Sequence, residues 1–128
     1  MLATASNNSI IKVWNIDSLD CISTLIGHRQ AVICVKFCED DKLLTGSRDG
    51  SCKLWSISNS SCIHSFLGHV AAITSIKLWS DFQFFSGSED GCVKIFNWKL
   101  FECKKTLIRP KEEIIKNKCL LYLLNKNY

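Results

Sequence analysis

Residue types that form catalytic triads in other proteins occur together in the middle of this chain. His28, Thr45 and Asp49 could act as general base, nucleophile and orienting acid. The same types recur 41 residues later along the sequence, as His69, Ser86 and Asp90. A catalytic set usually occurs once in a chain, so this recurrence favours a structural role. We therefore predict no catalytic residue and no enzymatic activity.

The glycines establish the period of the repeat. All six fall into three pairs with a separation of 41 residues, namely Gly27/Gly68, Gly46/Gly87 and Gly50/Gly91. Other rows keep the same register: Lys12, Lys53 and Lys94; Trp14, Trp55 and Phe96; Cys21, Cys62 and Cys103. Glycine is placed where backbone geometry requires it, so one backbone path is followed more than once. A period in the forties, with Gly-His at one end and Trp after a Gly-rich turn, indicates four-stranded propeller blades.

Within one period, four apolar or β-branched segments alternate with polar turns. In the middle of the chain these segments are 31–37, 42–47, 51–56 and 62–67. The next period repeats them at 72–79, 82–88, 91–98 and 102–108, and the opening has only three, at 2–6, 10–16 and 21–26. We predict an all-β fold, a partial β-propeller of about 2.75 four-stranded antiparallel blades whose ring is not closed. The predicted units are an incomplete first blade (1–26), a second blade (27–67), a third blade (68–108) and a structurally uncommitted tail (109–128).

The repeated residues resemble the WD-repeat family over about residues 2–108. The resemblance depends on Gly-His at 27–28 and 68–69 and on Asp-Gly at 49–50 and 90–91, at constant spacing. The dipeptide that names the family lacks its aspartate in every copy, and reads Trp14-Asn15, Trp55-Ser56 and Phe96-Asn97. Arg109-Pro110 stands where a third Gly-His is due, so the repeat signal stops there.

The resemblance implies a hydrogen-bonded set in each blade. In the second blade it would join His28, Thr45, Asp49 and Trp55, and in the third His69, Ser86 and Asp90. The third set ends at Ser86, because phenylalanine at position 96 has no N–H. In the first blade Asn8 replaces the aspartate. The lysine row two residues before the aromatic row could bind an anion, but we interpret it as side chains packed along the aromatic rings with the ammonium in water.

The resemblance also places a docking surface at the connections that contain the Gly-His and Asp-Gly pairs. The side chains there differ from blade to blade on a constant framework, which is typical of a binding scaffold. The candidate partner-binding residues are Asn7, Arg29, Gln30, Arg48, Val70, Ala71 and Glu89. Arginine is enriched in binding hot spots, so Arg29 and Arg48 lead this set.

Propellers close with roughly 4–8 blades, and this chain has fewer. Two blade faces would lack a neighbour, and we expect them to expose apolar residues such as Val13, Leu54 and Ile95. A longer chain, a partner protein or self-association would then supply the missing blades. The tail is apolar at 119–124, and Ile114 stands in the register of Ile73, so it could begin another blade or have no selected structure.

The charge distribution and the cysteines limit which other functions are possible. Residues 1–98 contain 8 Lys/Arg and 9 Asp/Glu, whereas residues 99–128 contain 8 Lys/Arg and 3 Glu, so the positive net charge comes from residues 99–128. A basic tail with few aromatic residues makes nucleic-acid binding an unlikely alternative function. The eight cysteines are expected to be small buried side chains, with no disulfide, no metal and no cofactor.

Met1 precedes strand-like sequence without a signal peptide, and no apolar run would span a membrane. We expect a cytoplasmic or nuclear protein that does not enter membranes. The predicted function is a non-catalytic scaffold for other proteins, a fragment of a larger propeller that serves as a subunit of a multiprotein complex. The alternatives within this class are a substrate-recognition module of a ubiquitin ligase and a signalling adaptor.

Overall fold

The computed structural model describes residues 1–80 and 82–108, and every regular element in these ranges is a β-strand. The strands are β1 (Leu2–Ala5), β2 (Ile11–Trp14), β3 (Cys21–Leu25), β4 (Val32–Glu39), β5 (Lys42–Ser47), β6 (Cys52–Ser56), β7 (Ser61–Phe66), β8 (Ile73–Leu78), β9 (Gln83–Ser88), β10 (Cys92–Asn97) and β11 (Glu102–Ile108). No helix in the described ranges is long and apolar enough to cross a membrane.

The strands form three antiparallel sheets in which neighbours in sequence are neighbours in space. Blade 1 is β1–β3, blade 2 is β4–β7 and blade 3 is β8–β11. In the described part of the chain the three blades do not close a ring, so the prediction of an all-β, unclosed arrangement of antiparallel blades is confirmed. Within residues 1–80 and 82–108, blade 1 has no strand that corresponds to β4 and β8.

Antiparallel pairing puts the connections at two opposite ends of the strands. One end, the upper face, contains the loops that lead into β4 and β8 and the turns β5–β6 and β9–β10. The other end, the lower face, contains the turns β4–β5, β6–β7, β8–β9 and β10–β11. Both faces are therefore made of short loops that a rigid sheet holds in place.

The hydrophobic core lies between the blades. Successive residues of a strand point to opposite faces of its sheet, so Leu43 packs towards blade 1 and Leu44 packs towards blade 3. The cluster between blades 1 and 2 consists of Ile11, Val13, Leu25, Val32, Leu43, Trp55 and Ile57. The cluster between blades 2 and 3 consists of Leu44, Cys52, Leu54, Phe66, Ile73, Ile76, Phe84, Phe96 and Trp98.

Two glycines show why this backbone path needs that residue. A Cβ on Gly46 would lie 2.6 Å from Ile73 Cγ2 and 2.8 Å from Cys34 Sγ, so only a hydrogen fits where blades 2 and 3 meet. Gly50 has φ +85°, in the left-handed region that glycine enters without steric cost, and it makes the tight turn between β5 and β6. Two of the repeated glycine positions are therefore explained, one by a close contact between blades and the other by a tight turn.

The open ends of the stack differ from each other. The outward face of blade 1 exposes Leu2 (52%) and Ile16 (58%). Val13 and Leu54 are buried, so the expectation that they would be exposed was wrong; each is covered by the next blade. On the outward face of blade 3, Ile95 is partly buried. The predictions made for the tail, residues 109–128, lie outside the described residues.

The residue after each aromatic of the Trp/Phe row caps the following turn. Asn15 Oδ1 accepts from the N–H of Asp17 at 2.9 Å, and Asn97 Oδ1 accepts from the N–H of Lys99 at 2.9 Å. Ser56 Oγ accepts from the N–H of Asn59 at 3.3 Å in blade 2. A short oxygen-bearing side chain satisfies the turn, so the missing aspartate does not interrupt the fold.

Candidate functional site

A chain of hydrogen bonds crosses blade 2 from its interior to the upper face. The Trp55 indole N–H donates to Thr45 Oγ1 at 2.9 Å, and Thr45 Oγ1 lies 2.7 Å from His28 Nε2. His28 Nδ1 lies 2.9 Å from Asp49 Oδ2. The three donors and three acceptors are matched if the Thr45 hydroxyl donates to His28 Nε2 and the His28 Nδ1–H donates to the Asp49 carboxylate. The structure thus brings together the four residues that the sequence grouped.

The protonation states of His28 and Asp49 follow from their burial and their hydrogen bonds. Desolvation lowers the pKa of His28, against the opposing effect of Asp49, so the imidazole is neutral near pH 7. Burial alone would raise the pKa of Asp49, but hydrogen bonds from the Ser51 hydroxyl and from the N–H of Arg29 lower it to about 2. The site therefore holds a carboxylate and a neutral imidazole, connected by one shared proton on Nδ1.

Ser51 belongs to this site although the sequence analysis did not single it out. Its N–H and its hydroxyl donate to Asp49 Oδ1 at 2.8 Å and 2.6 Å. Cys92 occupies the matching position of blade 3, so no repeat drew attention to it. The signal that could have found Ser51 is local, because a hydroxyl two residues after a turn aspartate is well placed to donate to it.

Blade 3 repeats the set in a shorter form. His69 Nδ1 lies 2.8 Å from Asp90 Oδ2, and His69 Nε2 lies 2.8 Å from Ser86 Oγ. Burial lowers the pKa of His69, and hydrogen bonds outweigh burial to lower the pKa of Asp90. Phe96 offers no N–H to Ser86 and stacks on Phe84 instead, with ring centroids 5.3 Å apart. Contact between these two rings takes the place of the hydrogen bond that the Trp55 indole makes to Thr45 in blade 2.

Blade 1 retains only the inner end of the set. The Trp14 indole N–H donates to Thr4 Oγ1 at 3.0 Å. Asn8, which replaces the aspartate, accepts from the N–H of Ile10 at 3.2 Å. The turn is therefore kept by a local bond, while the histidine and carboxylate of the other two blades have no counterpart here.

These sets do not have the form of a catalytic site. Thr45 and Ser86, the hydroxyls that would act as nucleophiles, are completely buried. Each hydroxyl is hydrogen-bonded to a histidine, and neither residue lines the two cavities at the lower face. In residues 1–80 and 82–108, no three His, Cys, Asp or Glu side chains are grouped to hold a metal ion. The arrangement joins strands and does not present a reactive group to solvent.

Residues predicted to bind a partner all lie at the upper face. The side chains of Asn7, Arg29, Gln30, Arg48, Val70 and Glu89 are exposed, and that of Ala71 is partly buried. Their backbones are fixed: the N–H groups of Arg29 and Val70 donate to Asp49 and Asp90, at 3.0 Å and 3.1 Å. The Arg48 N–H donates to the Ala31 carbonyl at 2.9 Å. The set thus positions exposed side chains by holding the backbone beneath them.

The lysine row differs from the sequence interpretation in two of its three members. Lys12 Nζ lies 5.8 Å from the centroid of a Trp14 ring. Lys53 Nζ instead donates to Ser65 Oγ at 2.6 Å, and Lys94 Nζ donates to Thr106 Oγ1 at 2.9 Å. These two ammonium groups therefore connect the third strand of a blade to its outer strand.

The cysteine row is also explained by strand pairing. The last two strands of every blade pair with a register shift just before the aromatic residue of the Trp/Phe row. The aromatic residue itself then pairs with the cysteine. Cys21, Cys62 and Cys103 are exposed there, so the prediction of buried cysteines was wrong for this row. Each thiol lies within hydrogen-bonding distance of the backbone carbonyl two residues further along the strand. A β-bulge leaves one residue unpaired and turns the outer strand outwards.

Sequential antiparallel blades of three or four strands, packed face to face, are the arrangement of a β-propeller, and blades 2 and 3 each contain one His–Asp set. Residues 19–56 and 60–97 match the family described as WD domain, G-beta repeat. The chain belongs to this family, and the resemblance seen in the sequence is confirmed.

Solved structures agree with this assignment. The chain is similar to the WD40 beta propeller domain of Doa1, with TM-score 0.75 and 26% identity, over 85% of this chain and 36% of that one. It is also similar in fold to U3-55K, with TM-score 0.78 and 22% identity, over the same shares of the two chains. The chain thus spans about a third of each of these structures. No curated protein matches its sequence.

Proposed function

We propose that this chain is a non-catalytic protein-interaction module, part of a larger WD-repeat propeller that serves as a subunit of a multiprotein complex. The observation that carries the proposal is the upper face, where hydrogen bonds fix the backbone and the exposed side chains change from blade to blade. Such a surface suits recognition of one particular partner. Arg29 and Arg48 are its leading contact residues, because arginine is enriched in hot spots.

The open blade faces suit the same function. Leu2 and Ile16 are exposed on blade 1, at positions whose counterparts in blade 2, Leu43 and Ile57, are buried against a neighbouring blade. Missing blades supplied by a longer chain, by a partner or by another copy would cover this face. The cytoplasm or the nucleus is the proposed location, because thiols such as those exposed on the outer strands persist in reducing compartments.

The proposal is tested by mapping a captured partner onto the faces of the propeller. The chain would be cross-linked to its partner in cells, and the cross-linked residues identified by mass spectrometry. Arg48→Glu should abolish capture of that partner, and Lys105→Glu, on the exposed outer strand, should leave it unchanged. Cross-links confined to the outer strands, or equal capture by both variants, would refute binding through the upper face.

A further inference from the structure

The lower face of blade 3 departs from the repeat in a consistent way. Four of its turn positions carry aromatic residues where blade 2 has smaller or polar ones: Trp79 for Cys38, Phe82 for Asp41, Trp98 for Ile57 and Phe101 for Ser60. Trp79 and Phe82 expose 48% and 41% of their surface. Packing between blades does not require exposed rings, so this difference indicates a separate use of the lower face.

Three of these rings line one cavity. Trp79, Phe82 and Trp98 form its aromatic walls, Glu39 of blade 2 contributes a carboxylate, and the volume is about 310 Å³. The cavity lies between the lower turns of blades 2 and 3, and we call it the aromatic groove. Its size and its mixture of apolar walls with a few polar groups are typical of a site that encloses one side chain of a ligand.

The backbone at the groove is held in an unusual conformation. Phe82 has φ +66°, in the left-handed region that bulky residues avoid, and Asp41 at the matching position of blade 2 does not. The Phe82 carbonyl accepts from the N–H of Trp98 at 2.8 Å, which fixes the turn against the neighbouring one. Positive φ also occurs at Leu19, Ser60 and Phe101 in the other lower turns, so it fixes the shape of the turn and is not by itself a mark of a ligand site.

Cations of this chain already lie on the rings of the groove. Lys99 Nζ is 3.7 Å from the Phe82 ring centroid, and Lys42 Nζ is 5.7 Å from a Trp98 ring centroid. Lys42 Nζ also lies 2.7 Å from Glu39 Oε2. Ring faces carry partial negative charge and attract ammonium and guanidinium groups. Trp79 is half exposed and packs only tilted on Phe85, so it retains ring surface for a further cation.

We propose that the aromatic groove binds the cationic side chain, arginine or lysine, of a partner polypeptide. The half-exposed Trp79 ring is the surface offered to this cation, because Lys99 already lies on Phe82 and Lys42 lies on Trp98 and Glu39; a partner cation binds at Trp79 or displaces one of these lysines. This site is on the opposite face from Arg29 and Arg48, so it is independent of the proposed upper-face interaction. Either proposal can fail without affecting the other.

The test compares two short peptides that differ in charge. Acetylated and amidated Ala-Ala-Arg-Ala-Ala is titrated into the full chain, with norleucine replacing arginine in the neutral control. Binding is read from the indole N–H resonances of Trp79 and Trp98. The arginine peptide should bind at least about fivefold more tightly, which corresponds to about 1 kcal/mol at 25 °C for a cation on exposed rings.

Variants locate the binding. Trp79→Leu keeps an apolar wall without the indole and should reduce arginine-peptide affinity at least about fivefold. Phe101→Leu removes another exposed ring of the lower face that does not line the groove, and it should leave the affinity unchanged. Phe82→Leu provides the same comparison if Trp79→Leu fails to fold, as judged by circular dichroism. Equal affinity for both peptides, no saturable shift, or equal effects of the Trp79 and Phe101 substitutions would overturn the proposal.

Discussion

Asp49→Ala should destabilise the chain more than Asp90→Ala does. Asp49 accepts four hydrogen bonds, from the His28 ring, the Arg29 N–H, and the Ser51 N–H and hydroxyl. Asp90 accepts three, from the His69 ring and from the N–H groups of Val70 and Cys92, and the Cys92 thiol beside it is a weaker donor than the Ser51 hydroxyl. The extra hydroxyl–carboxylate bond is charge-assisted, and such bonds contribute about 1.5–3 kcal/mol.

Part of that contribution is regained when water reaches the vacated site. The exposed N–H of Arg29 is rehydrated, whereas the His28 side chain is completely buried and loses its acceptor. We therefore expect losses of about 3–4 kcal/mol for Asp49→Ala and about 2–3 kcal/mol for Asp90→Ala.

The assay is urea unfolding at pH 7, followed by circular dichroism and evaluated as the free energy of unfolding. Ser51→Ala is the control, because in that background each aspartate accepts from one histidine ring and two backbone N–H groups, and neither accepts from a hydroxyl. The difference between Asp49→Ala and Asp90→Ala should then fall to near zero. Equal losses in the wild-type background, or a difference that survives Ser51→Ala, would refute the argument from donor number.

Four further outcomes are expected. Trp55→Phe should lower the free energy of unfolding in urea by about 1–2 kcal/mol, because Thr45 loses a buried donor and the smaller ring leaves space. An unchanged free energy of unfolding would show that the indole N–H is dispensable. Gly46→Ala should lower the free energy of unfolding by about 1–3 kcal/mol, because the new methyl meets Ile73, and a neutral result would mean that the blades separate freely. Asp49 has a lowered pKa, so its contribution to stability is complete above about pH 4 and is lost as the pH falls towards 2; Asp49→Asn should flatten the plot of urea midpoint against pH in this range. The isolated chain should be an oligomer or partly molten, because a few hundred Å² of apolar surface in water forfeits several kcal/mol; light scattering that shows a monomer, with a sharp thermal transition, would contradict this.

The repeat made it possible to predict the fold from the sequence. Gly46 and Gly50 mark places where only one residue type fits, and residues paired at a constant interval fall at equivalent places in successive blades. The hydrogen-bonded set was predicted from the resemblance to the WD-repeat family, carried over onto residues that recur in this register. Ser51, the aromatic groove and the exposed cysteines were missed, because each depends on a residue that departs from the repeat or on a bulge that composition does not reveal.

The two cores between the blades are unequal. The cluster between blades 2 and 3 contains nine buried residues, four of them aromatic, and the cluster between blades 1 and 2 contains seven, with one aromatic. In an array whose stability is a sum of nearest-neighbour terms, opening begins at the weaker junction. Amide protons of blade 1 should therefore exchange with deuterium before those of blades 2 and 3. A protein or blade that covers Leu2 and Ile16 would slow exchange throughout blade 1, so exchange rates there report whether the stack has been extended.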